Sequence, residues 1–114
     1  MKWFKRNTHG GGIRAPLIVH WPVRVQDFGG IRHQYHHVSD VVPTLLEALG
    51  VQPPEIHQGH SQIPLHGTSM VYSFKEANVA TRKQTQHFEM AGDRAIWHRG
   101  WKAVARHNKG DDFD

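Results

Sequence analysis

The chain has no cysteine, which excludes disulfides, zinc–thiolate sites and a cysteine nucleophile within these residues. It has no apolar run approaching the roughly 20 residues that a membrane-spanning helix needs, and this argues against a membrane partner. The basic opening Met1-Lys2-Trp3-Phe4-Lys5-Arg6 leads into polar Asn7-Thr8-His9 rather than an apolar stretch, so it does not read as a signal peptide. Long blocks of one charge are missing too. Lys and Arg outnumber Asp and Glu by 14 to 10, yet the basic residues come singly or in pairs such as Lys5-Arg6 and Arg82-Lys83. That spacing argues against a module built to track nucleic acid, while the balance of +4 favours anionic partners. No Gly-x-Ser-x-Gly elbow, Ser-His-Asp pattern or internal repeat occurs.

The 114 residues that are present suffice for one small domain, and 38% hydrophobic content suffices for one core. Residues 1–15 read as a polar, glycine-rich loop through Gly10-Gly11-Gly12. The continuous apolar run Leu17-Ile18-Val19-His20-Trp21, stopped by Pro22, suits a strand buried on both faces of a parallel sheet. The stretch from Arg24 to Gln34 reads as a surface excursion. Val38 to Gly50 is the strongest helix signal: Ser39 or Asp40 to cap, Pro43 in the first turn and Gly50 to stop it. Val38, Val42, Leu45, Leu46 and Leu49 recur at helical spacing as one core-facing stripe. Val51 to Gly67, punctuated by proline and glycine, reads as a linker. Beyond it Thr85 to Met90 alternates, and Arg94 to Arg106 predicts a β-hairpin turning at Arg99-Gly100. Asn108 to Asp114 carries no structural signal.

Candidate chemistry is sparse. His33, His36 and His37, and the pair His57 and His60, have spacings compatible with a metal but no well-placed carboxylate or thiol, and no metal is assigned to them. Gly10-Gly11-Gly12 matches neither phosphate-loop motif. Beside Lys5, Thr8 and His9 it offers backbone N–H groups, a cation, a hydroxyl and an imidazole suited to a tetrahedral anion, and a plain solvated loop is the competing account.

The segment Lys5-Arg6-Asn7-Thr8-His9-Gly10-Gly11-Gly12-Ile13-Arg14-Ala15-Pro16, running into Leu17-Ile18-Val19-His20-Trp21-Pro22, resembles the Lys-x-x-Thr-x-x-Gly-Gly-Val/Ile-Arg-x-Pro segment of the sulfatase family. The likeness continues in order through Asp40-Val41-Val42-Pro43-Thr44-Leu45-Leu46, Gly59 to Leu65 and Arg94 to Val104, with bacterial arylsulfatases the most similar branch. It implies an α/β, alkaline-phosphatase-like sulfatase fold of which this chain is a C-terminal part. Residues 1–60 would end the α/β domain, and residues 61–114 would form part of a small antiparallel subdomain.

The same resemblance implies hydrolysis of a sulfate ester, an aryl sulfate by branch, with formylglycine as nucleophile and calcium as cofactor. The family's Cys/Ser-x-Pro-x-Arg source of formylglycine is absent here and its calcium ligands lie upstream, so neither group is held by residues of this chain, which alone should be inactive. The implied partners are a small sulfate-ester molecule and the remainder of the sulfatase domain. Lys5 takes the family position that contacts the sulfate. Arg14 takes one that pairs with a carboxylate, and His9 and Gly10 stand where many relatives carry an aromatic and an acidic residue. A periplasmic and a cytoplasmic location stay equally open. The alternative of another class is a stand-alone basic anion-binding or interaction module, suggested by the charge, the 11 His and the four Trp.

Overall fold

A computed structural model describes residues 2–107; the tail from Asn108 to Asp114 lies outside the described residues. In chain order the elements are a one-turn helix α1 (Gly10–Ile13), a 3-10 turn Val38–Asp40 continuing into helix α2 (Val41–Leu49), and a two-residue ribbon β1 (Ile56–His57) and β2 (His60–Ser61). A second 3-10 turn (Val71–Ser73) and the strands β3 (Thr85–Met90), β4 (Asp93–His98) and β5 (Trp101–Ala105) follow. All strand pairings are antiparallel. The chain forms two compact units: residues up to Val19 join those from Gln84 onward, and His20–Lys83 make the other.

The first unit is the meander β3-β4-β5 with the amino-terminal segment. Thr85 pairs with His98 and Met90 with Asp93, and His98 pairs in turn with Trp101. The alternation read from the sequence therefore holds, as does the hairpin across Arg99-Gly100. Gln86 and Phe88 of β3, Ala95 and Trp97 of β4, and Lys102 and Val104 of β5 fall on the less exposed face, as the period of two requires.

In the second unit the helix is where the sequence places it, but its packed side is not. Val38, Val42, Leu45 and Leu49 are exposed, while Thr44 is buried with its hydroxyl donating to the Asp40 carbonyl at 2.6 Å and accepting from the Met70 N–H at 2.9 Å. The helix thus meets the segment before the second 3-10 turn through Thr44, with Val41 and Ala48 half-buried on the same side. The start also differs in its capping. The His37 side chain accepts from the Ser39 N–H, and the Asp40 carboxylate reaches back to the His37 N–H at 2.8 Å, so Ser39 does not cap. Gly50 ends the helix at φ +66°, as expected of a left-handed cap. Met70 and Phe74 are the buried apolar residues, and Phe74 meets Trp21 edge-on at 6.1 Å. Polar clamps complete the unit. Arg32 grips Asp27 through two N–H groups at 2.6 and 2.8 Å and also donates to the Ser73 and Phe74 carbonyls; Gln34 donates to those of Ala77 and Val79.

Two segments depart from the sequence reading. Leu17 to Trp21 is no strand: Ile18 is 90% exposed, and no described strand lies parallel to supply the ladder that such a run needs. The linker Val51 to Gly67 contains the β1-β2 ribbon, closed by Gln58-Gly59 at φ +48° and +80°.

Candidate functional site

The segment that carries Lys5 is a set of tight turns. Trp3 and Arg6 adopt φ +64° and +71°, and the Asn7 N–H and side-chain amide both donate to the Phe4 carbonyl at 3.2 Å. Lys5 stands exposed on this turn. Behind it the glycines are not the free loop that the sequence suggests: they form α1, in which Gly11 and Gly12 lie too close to neighbouring backbone for side chains. A Cβ on Gly11 would lie 1.9 Å from the Trp3 carbonyl oxygen, and one on Gly12 would lie 2.0 Å from that of Asn7. Gly10 has open space around it.

This packing decides which groups could meet an anion. The Gly11 N–H donates to the Lys2 carbonyl at 3.0 Å and the Gly12 N–H to that of His9 at 2.9 Å, so neither is available to cradle an oxyanion. Thr8 is only 1% exposed and its hydroxyl has no partner; the Nδ1 of His9 is likewise buried and unpartnered. Of the anion-friendly group read from the sequence, Lys5 alone presents its charge to solvent. Arg14 is exposed and pairs with no carboxylate among the described residues. Its unit offers Glu89 and Asp93, which accept from the N–H groups of Gly92 at 2.8 Å and His107 at 3.0 Å.

The sheet reaches the turn through two cations that sequence reasoning missed. Lys102 of β5 donates to the Thr8 carbonyl, with its ammonium 5.4 Å from the centre of the Phe88 ring. Burial draws its pKa below that of a free lysine. Arg106 lies 4.9 Å over the Trp3 ring, which itself meets His9 at 6.1 Å. A lysine in phase with Val104 on an alternating strand was the available signal.

The second unit holds a separate polar cluster. Asp40, fully buried, accepts from the N–H groups of His37 and Thr68, both at 2.8 Å, and pairs with the buried Lys83 ammonium at 3.0 Å. Burial pushes its pKa up, but the bonds from Thr68, His37 and Lys83 outweigh this and hold it below the usual carboxylate value. Burial holds the His36 imidazole below its usual value although Nδ1 lies 3.7 Å from Asp40, and it pushes the Tyr35 phenol up to about 12, aided by the Asp40 charge. With every Asp40 oxygen engaged, this cluster is a clamp between chain segments rather than a site open to ligand. His57 and His60 face each other across the β1-β2 ribbon, and no group of three or more metal-ligating side chains gathers among the described residues.

Comparison with known proteins covers almost the whole chain. Residues 1–107 match the family described as N-sulphoglucosamine sulphohydrolase, C-terminal. The chain is similar to an ulvan-active sulfatase of Formosa agariphila, 28% identical over 98 residues that make up 85% of this chain and 20% of that protein. It is similar to human arylsulfatase D at 39% identity over 57 residues, 48% of this chain and 9% of that protein. It is similar also to the N-acetylgalactosamine-6-sulfatase of Canis lupus familiaris, at 38% over 50 residues, 44% of this chain and 9% of that protein. The chain thus spans a fifth or less of the length of these relatives.

Proposed function

The chain belongs to the sulfatase family, in its C-terminal portion, and from that premise we propose that it supplies one wall of a site hydrolysing sulfate esters, with Lys5 touching the sulfate. The observation that carries this reading is the placement of Lys5 within the matched residues: exposed, on a turn locked by Gly11 and Gly12, with no carboxylate partner among the described residues. An ammonium held there would neutralise charge on the bound ester and favour departure of the alkoxide.

Formylglycine and calcium, which the family resemblance implies, do not fit the residues at hand. There is no Cys/Ser-x-Pro-x-Arg sequence. Asp40 is saturated by Lys83 and two N–H groups, Asp27 is gripped by Arg32, and the remaining described carboxylates assemble no ligand set. Both groups are therefore proposed to come from residues outside this chain, and no step is routed through them here. By the same proposal residues 1–60 close an α/β domain, in which Leu17 to Trp21 finds its neighbouring strands, and residues 61–114 enter an antiparallel subdomain. The substrate class proposed is an aryl sulfate ester, on the likeness to bacterial arylsulfatases.

Two assays test this. The isolated chain should leave nitrophenyl sulfate intact in the presence of calcium; clear calcium-dependent turnover would overturn the assignment of nucleophile and metal to outside residues. Grafted in place of the matching part of the ulvan-active sulfatase, residues 1–107 should support turnover, and Lys5→Ala should lower kcat/KM by about 10²- to 10³-fold at unchanged Tm. A folded graft indifferent to that substitution would sink the sulfate contact.

A further inference from the structure

Lys102 occupies a position that an apolar residue would fill more cheaply. It lies on the less exposed phase of β5 with Val104, directly across from Trp97 of β4. Its ammonium passes over the Phe88 ring and ends on the Thr8 carbonyl. No carboxylate balances it: among the described residues the ion pairs are made to Asp27 and Asp40, and Glu89 and Asp93 of its own unit accept backbone N–H groups. A half-buried cation satisfied by a neutral carbonyl gives up hydration without a full Coulombic return. Stability alone does not account for it.

The contact defines a geometry. The Thr8 carbonyl sits three residues from Lys5, at the close of the turn that begins at Trp3. The other hydrogen bonds fixing that turn are local: Asn7 to Phe4, Gly11 to Lys2 and Gly12 to His9. They shape the turn but do not attach it to anything. The Lys102 bond spans 94 positions of sequence and attaches it to the sheet, with Arg106 over Trp3 as a second, weaker strap.

We propose that Lys102 is a positioning residue: by holding the Thr8 carbonyl it fixes the turn from which Lys5 meets an anionic ester. This rests on the reading of Lys5 as the sulfate contact. In that arrangement the C-terminal sheet sets where a charge at the other end of the chain stands, at the near-ångström tolerance that electrostatic stabilisation of a reacting group requires.

The test uses the full chain in solution. Lys102→Met keeps the stem and removes the donor. It should move the Thr8 carbonyl carbon resonance and speed amide exchange at Gly11 and Gly12 by about tenfold, leaving the β3-β4 ladder unchanged, and Lys102→Arg should restore most of the protection. In the parent the Thr8 carbonyl resonance should titrate with a midpoint below that of free lysine, and in the Met variant it should not. Added inorganic sulfate should shift the amides from Lys5 to Gly12 in the parent. Lys5→Ala should abolish those shifts without altering exchange at Gly11 and Gly12, and Lys102→Met should weaken sulfate affinity several-fold. Sulfate shifts that are absent from the parent or survive Lys5→Ala would overturn the sulfate contact and the positioning role with it. Unchanged exchange at Gly11 and Gly12, exchange accelerated equally across the sheet, or sulfate affinity indifferent to Lys102→Met while Lys5→Ala abolishes it, would overturn the positioning role alone.

Discussion

At Asp40 one carboxylate receives the Lys83 ammonium and two backbone N–H groups from different segments, with no access to water. Replacing it by Asn leaves Lys83 buried and without its counter-charge, a change that costs about 3–5 kcal/mol in buried pairs. Asp40→Asn should therefore lower the urea midpoint of the 20–83 unit sharply. Because the folded pKa of Asp40 lies below its unfolded value, its stabilisation is fully present above the ordinary carboxylate value and is lost as pH falls through the folded pKa. The acid limb of the parent's stability profile should be steeper than the variant's. Gly10 and Gly11 offer a second contrast. Gly10→Ala meets open space inside a helical turn and should raise stability by about 0.4–1 kcal/mol, whereas Gly11→Ala drives a Cβ into a carbonyl oxygen and should cost about 1–3 kcal/mol; thermal midpoints of the two variants decide it. Lys5 could be singled out in the sequence through its place in a segment that resembles a family motif. The contact of Lys102 could not, because its partner is 94 positions away and is a carbonyl, which no side-chain pattern announces.

Among the described elements, the three hairpins share one device. Gln58-Gly59, Ala91-Gly92 and Arg99-Gly100 each place two successive residues at positive φ between paired strands, the requirement of the two-residue turn that matches strand twist. Asn at the first position adopts this left-handed conformation at lower cost than other L residues, because its short polar side chain hydrogen-bonds locally to the backbone. Ala91→Asn should thus stabilise the meander by a few tenths of a kcal/mol up to about 1 kcal/mol, read as slower exchange in β3 and β4. The Arg99-Gly100 turn was evident from its flanking alternation, whereas Gln58-Gly59 sits in a proline-rich stretch whose strands are two residues each. Helix α2 was legible because its spacing and its Gly50 stop are local, although the cap at its start falls to His37 rather than Ser39. Its packed side was not: the apolar stripe is the strongest periodic signal, yet the partner available among the described residues is the polar-laced segment around Met70. The same reason explains Leu17 to Trp21, whose composition suits a strand with neighbours on both sides and whose described surroundings supply none.

For the whole molecule, charge divides as the compact units do. Residues 20–83 carry five basic and five acidic side chains, whereas residues 2–19 and 84–107 carry eight basic against two acidic. The first unit gathers the excess positive charge next to Lys5 in sequence and in the sheet that holds its turn, which suits an anionic partner. It also repels itself. Raising sodium chloride shortens the screening length from about 30 Å at 0.01 M to about 8 Å at 0.15 M, so amide exchange in β3, β4 and β5 should slow with salt while that of α2 stays constant.

The assembly of this basic unit from both sides of a neutral one has a consequence in time. A ribosome adding about 5–20 residues per second takes several seconds to pass from Val19 to Gln84. Throughout that interval the Lys5 turn has its local hydrogen bonds but no β5 to anchor it, whereas the 20–83 unit is complete when the interval ends. The segment that carries Lys5 is thus made before the 20–83 unit and yet is set in place only after β5, which follows that unit.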